Sequence, residues 1–240
     1  MNAIVCICAA GLAAALFGPT LKCLPGMYHV RTLYAVLVRK AFGKPRDHRT
    51  LFKPEIFTSR NPLFEVDVYF HKTNSSYFSD LDESRLCLLA RVFPECFSFT
   101  GNNIRPAMGG TACTFFKAIA PFEKYEVTSQ ILSWDDKWLY IASYFLVAGG
   151  SHRLARAARL DPKAVDDATR KVVIATAITK YCFKLGRLTL EPEQLLQKKK
   201  LLIRDSEVEW TRKKAEGAHI AASMDALGAL RDGAFLMGGR

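Results

Sequence analysis

The sequence lacks the cysteine spacing that disulfide-rich and zinc-binding proteins need. Its seven cysteines include no CxxC pair, and an odd number cannot all pair within one chain. They stand at positions 6, 8, 23, 87, 96, 113 and 182. We therefore expect free thiols in a reducing compartment, with neither a disulfide framework nor a metal or bound cofactor.

Acidic residues are scarce relative to basic ones. The 240-residue chain has 23 Asp and Glu against 34 Lys and Arg, which gives a net charge of +11. Such a charge fits nucleic acid, a membrane surface or an anionic substrate such as a CoA thioester. The sequence has no recognisable RNA-binding or helix-turn-helix signature, so we do not predict nucleic acid as a partner. The membrane surface and the anionic substrate both stay open.

Charged side chains are absent from residues 1–21, "MNAIVCICAAGLAAALFGPTL", and Lys22 is the first cation. About 20 apolar residues can span a bilayer, whereas a signal peptide would need a positive n-region before the apolar run. We predict a hydrophobic anchor or signal over 1–24; a buried N-terminal helix is the alternative. Because the cations follow this run, the positive-inside rule places the rest of the chain in the cytoplasm. We thus expect association with the endoplasmic reticulum or another endomembrane.

Three further regions follow. Residues 27–42, "MYHVRTLYAVLVRKAF", have apolar spacings of three and four, which predicts an amphipathic linker helix within 25–53. It either lies on a membrane surface or packs on the main domain. We predict that domain over 54–190, followed by a C-terminal helix and a loose tail over 191–240.

The main domain begins with an unusual order of residue types. "FEVDVYF" (64–70) alternates, which predicts a strand with Glu65 and Asp67 on one face. A polar elbow, "HKTNSS", comes next, and Ser75 or Ser76 can cap a helix that runs to about residue 90. The strand would therefore present carboxylates directly before a helix N-terminus.

Four more strands are predicted beyond this helix, at 109–122, 125–134, 137–147 and 171–184. The middle two are joined by Asp135 and Asp136, which indicates a tight hairpin turn. An Ala/Arg-rich insertion before the last strand has helical character. One long helix facing a sheet of consecutive antiparallel strands is an α+β arrangement.

This order and two sequence blocks resemble the hotdog-fold thioesterases. They are similar to the 4-hydroxybenzoyl-CoA thioesterase type and its relative, thioesterase superfamily member six. The signature of the group reads roughly D-x-D-x-x-x-H-x-N-N-x-x-Y, with an arginine eight residues later. The matching positions here are Glu65, Asp67, His71, Thr73, Asn74, Tyr77 and Arg85. The second block, "PFEKYEVTSQILSWDDKWLYIASYF", looks like the central strands of the family.

The resemblance implies a long central helix wrapped by a curved antiparallel sheet, in a homodimer with the site at the subunit interface. It also implies hydrolysis of acyl-CoA or acyl-carrier thioesters, as in lipid metabolism or polyketide biosynthesis. Asp67 would act as nucleophile or as general base, backbone N–H groups at Asn74 would form the oxyanion hole, and His71 would assist. The implied substrate-binding residues are Glu65, Thr73, Ser75 and Tyr77. Glu65 and Thr73 depart from the usual Asp and Asn of the family.

Other interpretations stay open at this point. A dehydratase or isomerase on the same fold would use His71 with an acid, and a membrane-tethered acyl-binding protein would have no turnover. Asp67 could also be a solvated residue on an outer strand face. Tyr77 and Arg85 fit structural roles, with Arg85 paired to an acidic neighbour at 82 or 83.

Overall fold

The computed structural model describes residues 18–97, 104–160 and 165–226. The strands are β1 (Glu55–Arg60), β2 (Ile104–Phe115), β3 (Lys124–Trp134), β4 (Leu139–Val147), β5 (Val173–Leu185) and β6 (Leu188–Leu190). The helices are α1 (Met27–Phe42), α2 (Asn74–Val92), α3 (Gly150–Leu160), α4 (Val165–Val172), α5 (Pro192–Lys198) and α6 (Glu207–Ala226).

All six strands form one antiparallel sheet. Its order is β1-β3-β4-β5-β2, and β6 pairs with the end of β5. The predicted hairpin between β3 and β4 is confirmed at Asp135. Its Oδ1 accepts the backbone N–H groups of Lys137 at 2.7 Å and Trp138 at 2.6 Å. An Asp side chain that accepts backbone N–H groups of its own turn stabilises that turn, and with it the pairing of the two strands.

The long helix α2 packs on one face of the sheet, as predicted. Along β4, Leu139, Ile141 and Phe145 are fully buried beneath α2, because alternate residues of a strand point to one face. Leu88 and Leu89 of α2 meet this layer. The hotdog arrangement of a central helix held by a curled antiparallel sheet is therefore confirmed.

The opposite face of the sheet carries α6. Ala221 and Met224 of this helix contact Tyr140 of β4, which points away from α2. The predicted helix over 27–42 is confirmed as α1, and the Ala/Arg-rich insertion forms α3 and α4.

The predicted strand over 64–70 is wrong, because the chain leaves the sheet before that segment. The strand at this edge is β1, which ends at Arg60, and Asn61 then ties the chain to the loop before β3. Its Nδ2 donates to the backbone oxygens of Ile119 and Ala120 at 3.1 Å each. Residues 64–70 instead complete a short 3₁₀ helix (Leu63–Glu65) and enter a tight loop, so their alternation does not divide a buried face from a solvent face. The side chains of Val68 and Phe70, expected to face the core, are 85% and 75% exposed.

Most of the predicted N-terminal anchor (residues 1–17) and the end of the predicted tail (227–240) lie outside the described residues. In the described ranges, no helix is both long enough and apolar enough to cross a membrane. The predicted domain limits at 24, 53 and 190 stay predictions.

Candidate active site

Residues 65–73, which we call the reactive loop, fold into a narrow hairpin directly before α2. The Thr73 N–H donates to the Glu65 backbone oxygen at 2.7 Å, and the Asp67 N–H donates to the His71 backbone oxygen at 2.8 Å. The Lys72 N–H reaches the Ile119 oxygen at 2.9 Å, which ties the loop to the segment before β3. The backbone therefore holds Asp67 at the tip of a closed loop and delivers the chain into a helix.

The two carboxylate oxygens of Asp67 differ in their surroundings. Oδ1 accepts backbone N–H groups from Tyr69 at 2.9 Å and from His71 at 3.2 Å. Over the described ranges, Oδ2 has no hydrogen-bond partner. Asp67 is half-buried. One oxygen thus orients the side chain, and the other is available to a substrate or a water molecule.

The N-terminus of α2 offers unused donors. The first N–H groups of a helix have no partner within the helix. Ser76 N–H finds the Thr73 oxygen at 2.9 Å, but the N–H groups of Asn74 and Ser75 have no acceptor within the part of the chain described. Thr73 makes no side-chain cap either. Free N–H groups at the positive end of the helix dipole stabilise a negative oxygen.

The remaining signature residues divide into exposed and buried positions. His71 is exposed. Tyr77 is buried and packs against the rings of Phe115 and Phe145 at centroid distances of 4.9 and 4.7 Å, and burial raises its pKa. This position fits packing of α2 against the sheet.

Arg85 is a buried structural cation. It pairs with Asp82, which confirms one of the two predicted partners. Its Nη1 also donates to the hydroxyls of Thr111 at 3.1 Å and Thr179 at 2.6 Å. Arg85 therefore connects α2 to β2 and β5, which carry these threonines.

Beneath the reactive loop lies a group of charges that we call the buried charge cluster: Lys22, Glu65, Lys72, Asp80 and Tyr125. Lys72 Nζ lies 2.6 Å from Oε2 of Glu65 and 2.9 Å from Oδ2 of Asp80. The side chains of Lys72 and Asp80 are both 0% exposed. Lys22 Nζ contacts Oε2 of Glu65 at 2.7 Å, and the Tyr125 hydroxyl donates to Asp80. The carboxylate of Glu65, predicted to line the substrate site, is thus bound to two lysines.

This cluster shifts the pKa values of its members. Burial alone would raise the pKa of Asp80, but the ammonium groups of Lys72 and Lys22 outweigh it and lower that pKa. Burial, followed by the nearby Asp80 carboxylate, raises the pKa of the Tyr125 hydroxyl. Asp80 is therefore an ionised carboxylate in the protein interior, a state that requires paired cations.

The sequence contained a partial signal for the cluster. Asp80 falls three residues after Tyr77 and four before Ser84, the spacing of one helix face, and both neighbours are buried. An acidic residue on the inward face of a helix predicts a buried cation partner. Nothing in the local pattern around Lys22 or Lys72 identifies them as that partner.

The side chains that could ligate a metal are dispersed. In the described ranges, no three or more His, Cys, Asp and Glu side chains lie together as a metal-binding group.

Comparison with known proteins gives the class of this protein. The sequence pattern of the thioesterase-like superfamily matches residues 62–183, and the chain belongs to that family. It is 33% identical to "Thioesterase poxG" of Penicillium oxalicum over 92% of this chain and 85% of that protein. It is 31% identical to "Probable thioesterase YBR096W" of Saccharomyces cerevisiae over 80% of each chain.

A more distant similarity agrees with the resemblance found in the sequence. "Protein THEM6" of Xenopus laevis is 26% identical over 58% of this chain and 63% of that protein. Among solved structures, YbaW, a probable thioesterase from Escherichia coli, matches with a TM-score of 0.43 and 15% identity, over 62% of this chain and 99% of the other.

Proposed function

We propose that this thioesterase hydrolyses acyl-CoA or acyl-carrier thioesters with Asp67 as nucleophile or as general base for water. The observation that carries the proposal is the unpartnered Oδ2 of Asp67, held on a closed loop that leads into the free N–H groups of Asn74 and Ser75. A thioester needs both parts, a positioned carboxylate and donors for the developing oxyanion.

Asp67, the N–H groups of Asn74 and Ser75 and one water molecule are sufficient for the reaction. In the base route, Oδ2 takes a proton from water, the resulting hydroxide adds to the thioester carbonyl carbon, and the carbonyl oxygen becomes an oxyanion. The N–H groups of Asn74 and Ser75 stabilise this oxyanion, and a well-placed donor contributes about a hundredfold or more in rate. The C–S bond then breaks, and the thiolate leaves with the proton that Asp67 took.

In the nucleophile route, Oδ2 adds to the carbonyl carbon, the C–S bond breaks, and the thiolate leaves a mixed anhydride on Asp67. Water then hydrolyses this anhydride to the free acid, which restores the Asp67 carboxyl group and supplies the proton that converts the thiolate to the thiol. Both routes release one thiol and one carboxylic acid, and neither requires a cofactor. The exposed imidazole of His71 stands at the same loop, where it can take part in proton transfer.

We also propose that the protein is a homodimer that covers the reactive loop. Three large exposed side chains lie close to Asp67 in the sequence: Phe64, directly before the reactive loop, and Tyr69 and Phe70 within it. Several large exposed aromatic side chains in one segment are typical of an interface or a ligand site. A second copy packed here would enclose the thioester and exclude water from the oxyanion. Sedimentation of the full chain should show a dimer, which the substitutions Phe64→Asp and Phe70→Asp should weaken.

Attachment to a membrane is supported by the orientation of α1. Two of its arginines turn inward: Arg31 pairs with Glu83, and Arg39 Nε lies 2.8 Å from Glu55 Oε1. Its exposed side chains include the apolar Val30, Leu33, Tyr34 and Leu37, beside His29 and Lys40. So many exposed apolar side chains depart from the usual pattern of a surface helix.

Exposed apolar side chains directly after the uncharged residues 1–21 fit a helix lying on a lipid surface. We propose that the protein associates in this way with the endoplasmic reticulum or another endomembrane, with the catalytic domain facing the cytoplasm.

The activity is tested by product analysis of the full chain with acetyl-, octanoyl-, palmitoyl-, benzoyl- and crotonyl-CoA. Released thiol and enoyl absorbance are followed together. The proposal predicts thiol release without loss of the crotonyl double bond. Hydration of crotonyl-CoA without thiol release, abolished by His71→Ala, would instead establish the dehydratase alternative. Binding of these thioesters without any turnover would establish a non-catalytic acyl-binding protein.

A further inference from the structure

The buried charge cluster connects the start of the reactive loop, its end and the interior of α2. Glu65 begins the loop, Lys72 stands at its end, and Asp80 lies two turns into the helix. The ammonium group of Lys72 contacts both carboxylates, at 2.6 Å and 2.9 Å. One side chain thus fixes the two ends of the loop to each other and to the helix.

Burying these charged side chains costs free energy. Lys72 and Asp80 are both removed from water, and ion pairs of this kind contribute little net stability because desolvation offsets their attraction. Lys22 joins from the N-terminal segment and pairs with Glu65, so two lysines face two carboxylates. Arg31, which pairs with Glu83, also lies 3.7 Å from Asp80. The cluster is therefore better explained by the geometry that it imposes than by stability alone.

The contacts of Lys72 determine the positions of the reacting groups. Asp67 lies within the loop that Lys72 closes, and Asn74 follows Lys72 by two residues at the helix start. The Lys72 backbone is itself fixed to the Ile119 oxygen at 2.9 Å. If the Lys72 ammonium contacts are lost, the loop keeps its backbone bonds. Its side-chain link to Asp80 of α2 then depends on Lys22 alone, which lies 2.7 Å from Glu65 and 3.4 Å from Asp80.

We infer that Lys72 is a positioning residue for hydrolysis: it sets the Asp67 carboxylate against the free N–H groups at the start of α2 through its contacts with Glu65 and Asp80. This inference rests on the proposed role of Asp67. Lys72 does not touch the substrate, since its side chain is completely buried. Its loss therefore affects turnover more than substrate binding.

The test compares two variants of the full-length protein, with octanoyl-CoA as the probe. Lys72→Met leaves Asp80 without its main cation, whereas Lys72→Met combined with Asp80→Asn removes one charge of each sign and keeps the pair of Lys22 and Glu65. We expect the single variant to lose both melting temperature and turnover. The double variant should recover the melting temperature while kcat stays about 10- to 100-fold low, with KM within about twofold. Lys53→Met, at an exposed lysine, is the matched control.

Recovery of kcat together with the melting temperature in the double variant would overturn the inference, because Lys72 would then be only structural. Amide exchange gives a second readout that needs no turnover. In the double variant, the N–H groups of Asp67 and Thr73 should exchange about tenfold faster, while that of Leu88 in α2 is unchanged. Unchanged exchange in the loop would also refute the inference. Asp67→Asn is measured in parallel, so a failure of the Asp67 mechanism is seen separately from a failure of Lys72.

Discussion

The ammonium nitrogen of Lys22 lies 2.7 Å from Oε2 of Glu65, so the segment before α1 reaches the reactive loop. Lys22 also approaches Oδ1 of Asp80 at 3.4 Å. Although the predicted domain limit at 24 separates Lys22 from the main domain, its charge belongs to the buried charge cluster. A truncated protein that begins after residue 24 would lack this cation.

We predict that Lys22→Met destabilises the protein, because Glu65 and Asp80 then share one ammonium group. The free energy of unfolding should fall by about 2 kcal/mol, typical of a hydrogen bond between charged groups. For a chain of this size the melting temperature should drop by about 6 °C. Thermal unfolding followed by circular dichroism measures this, with the exposed Lys44→Met as control. Equal melting temperatures for the two variants would show that Lys22 adds nothing to the cluster.

The lowered pKa of Asp80 predicts a defined acid response. Its folded-state pKa lies below the ordinary value of 3.8, so its ionised form contributes stability above that value and loses it as the pH falls further. Asp80→Asn should cost about 3 kcal/mol near neutral pH, since Glu65 is then the one carboxylate left to pair with both Lys72 and Lys22. This difference from the unmodified protein should shrink once the pH drops below 3.8. Urea unfolding at several pH values measures it, and a difference that stays constant into acid would contradict the assignment.

Cys23 should react slowly with alkylating reagents. Burial, with the nearby carboxylate of Glu65, raises the pKa of its thiol from 9.0 to about 11. Near pH 8 the thiolate fraction, and with it the alkylation rate, should be about a hundredfold below that of an ordinary cysteine. Mass spectrometry after timed iodoacetamide treatment of the folded protein measures the rate. If Cys23 were modified as fast as a cysteine in an unfolded peptide, the described environment of this thiol would be incorrect.

The outward face of α1 should contribute to membrane binding. Replacing Leu33 and Leu37 by Asp places two charges on the apolar stripe, so partition onto anionic vesicles should fall by at least about tenfold. The matched control replaces Leu188 and Val208, two exposed apolar residues outside α1, by Asp. Vesicle co-sedimentation of the full chain compares the pairs. An equal loss in both would indicate a general effect of charge and remove the role of α1.

The elements that were predicted correctly are determined by residue patterns within short segments of the chain. The three- and four-residue apolar spacing predicted α1, because that pattern reflects burial on one face, and stretches of strand character bounded by turn residues predicted β3 and β4. The segment 64–70 shows the limit of that reasoning. Its apolar residues alternate as in a strand, yet they belong to a loop. In a loop, alternate residues need not point to one buried face.

The candidate site divides in the same way. Asp67 and Asn74 were found from a local motif, and the structure places them on one loop and the helix that it starts. The buried charge cluster was not found, because its contacts join residues far apart in the chain, such as Lys22 and Asp80. Only tertiary packing brings such charges together. Asp80 alone carried a local signal, through its position on the inward face of α2.

The role of Asp67 in the chemistry is tested by Asp67→Asn in the full-length protein. The amide oxygen of Asn can still accept the N–H groups of Tyr69 and His71, so the loop should keep its shape while the charge is lost. The measurement is the rate of thiol release from octanoyl-CoA, with the exposed Asp136→Asn as control. We expect kcat to fall about a thousandfold in Asp67→Asn and to stay unchanged in the control. Equal turnover in the two variants, at the level of the unmodified protein, would rule out Asp67 as nucleophile or general base.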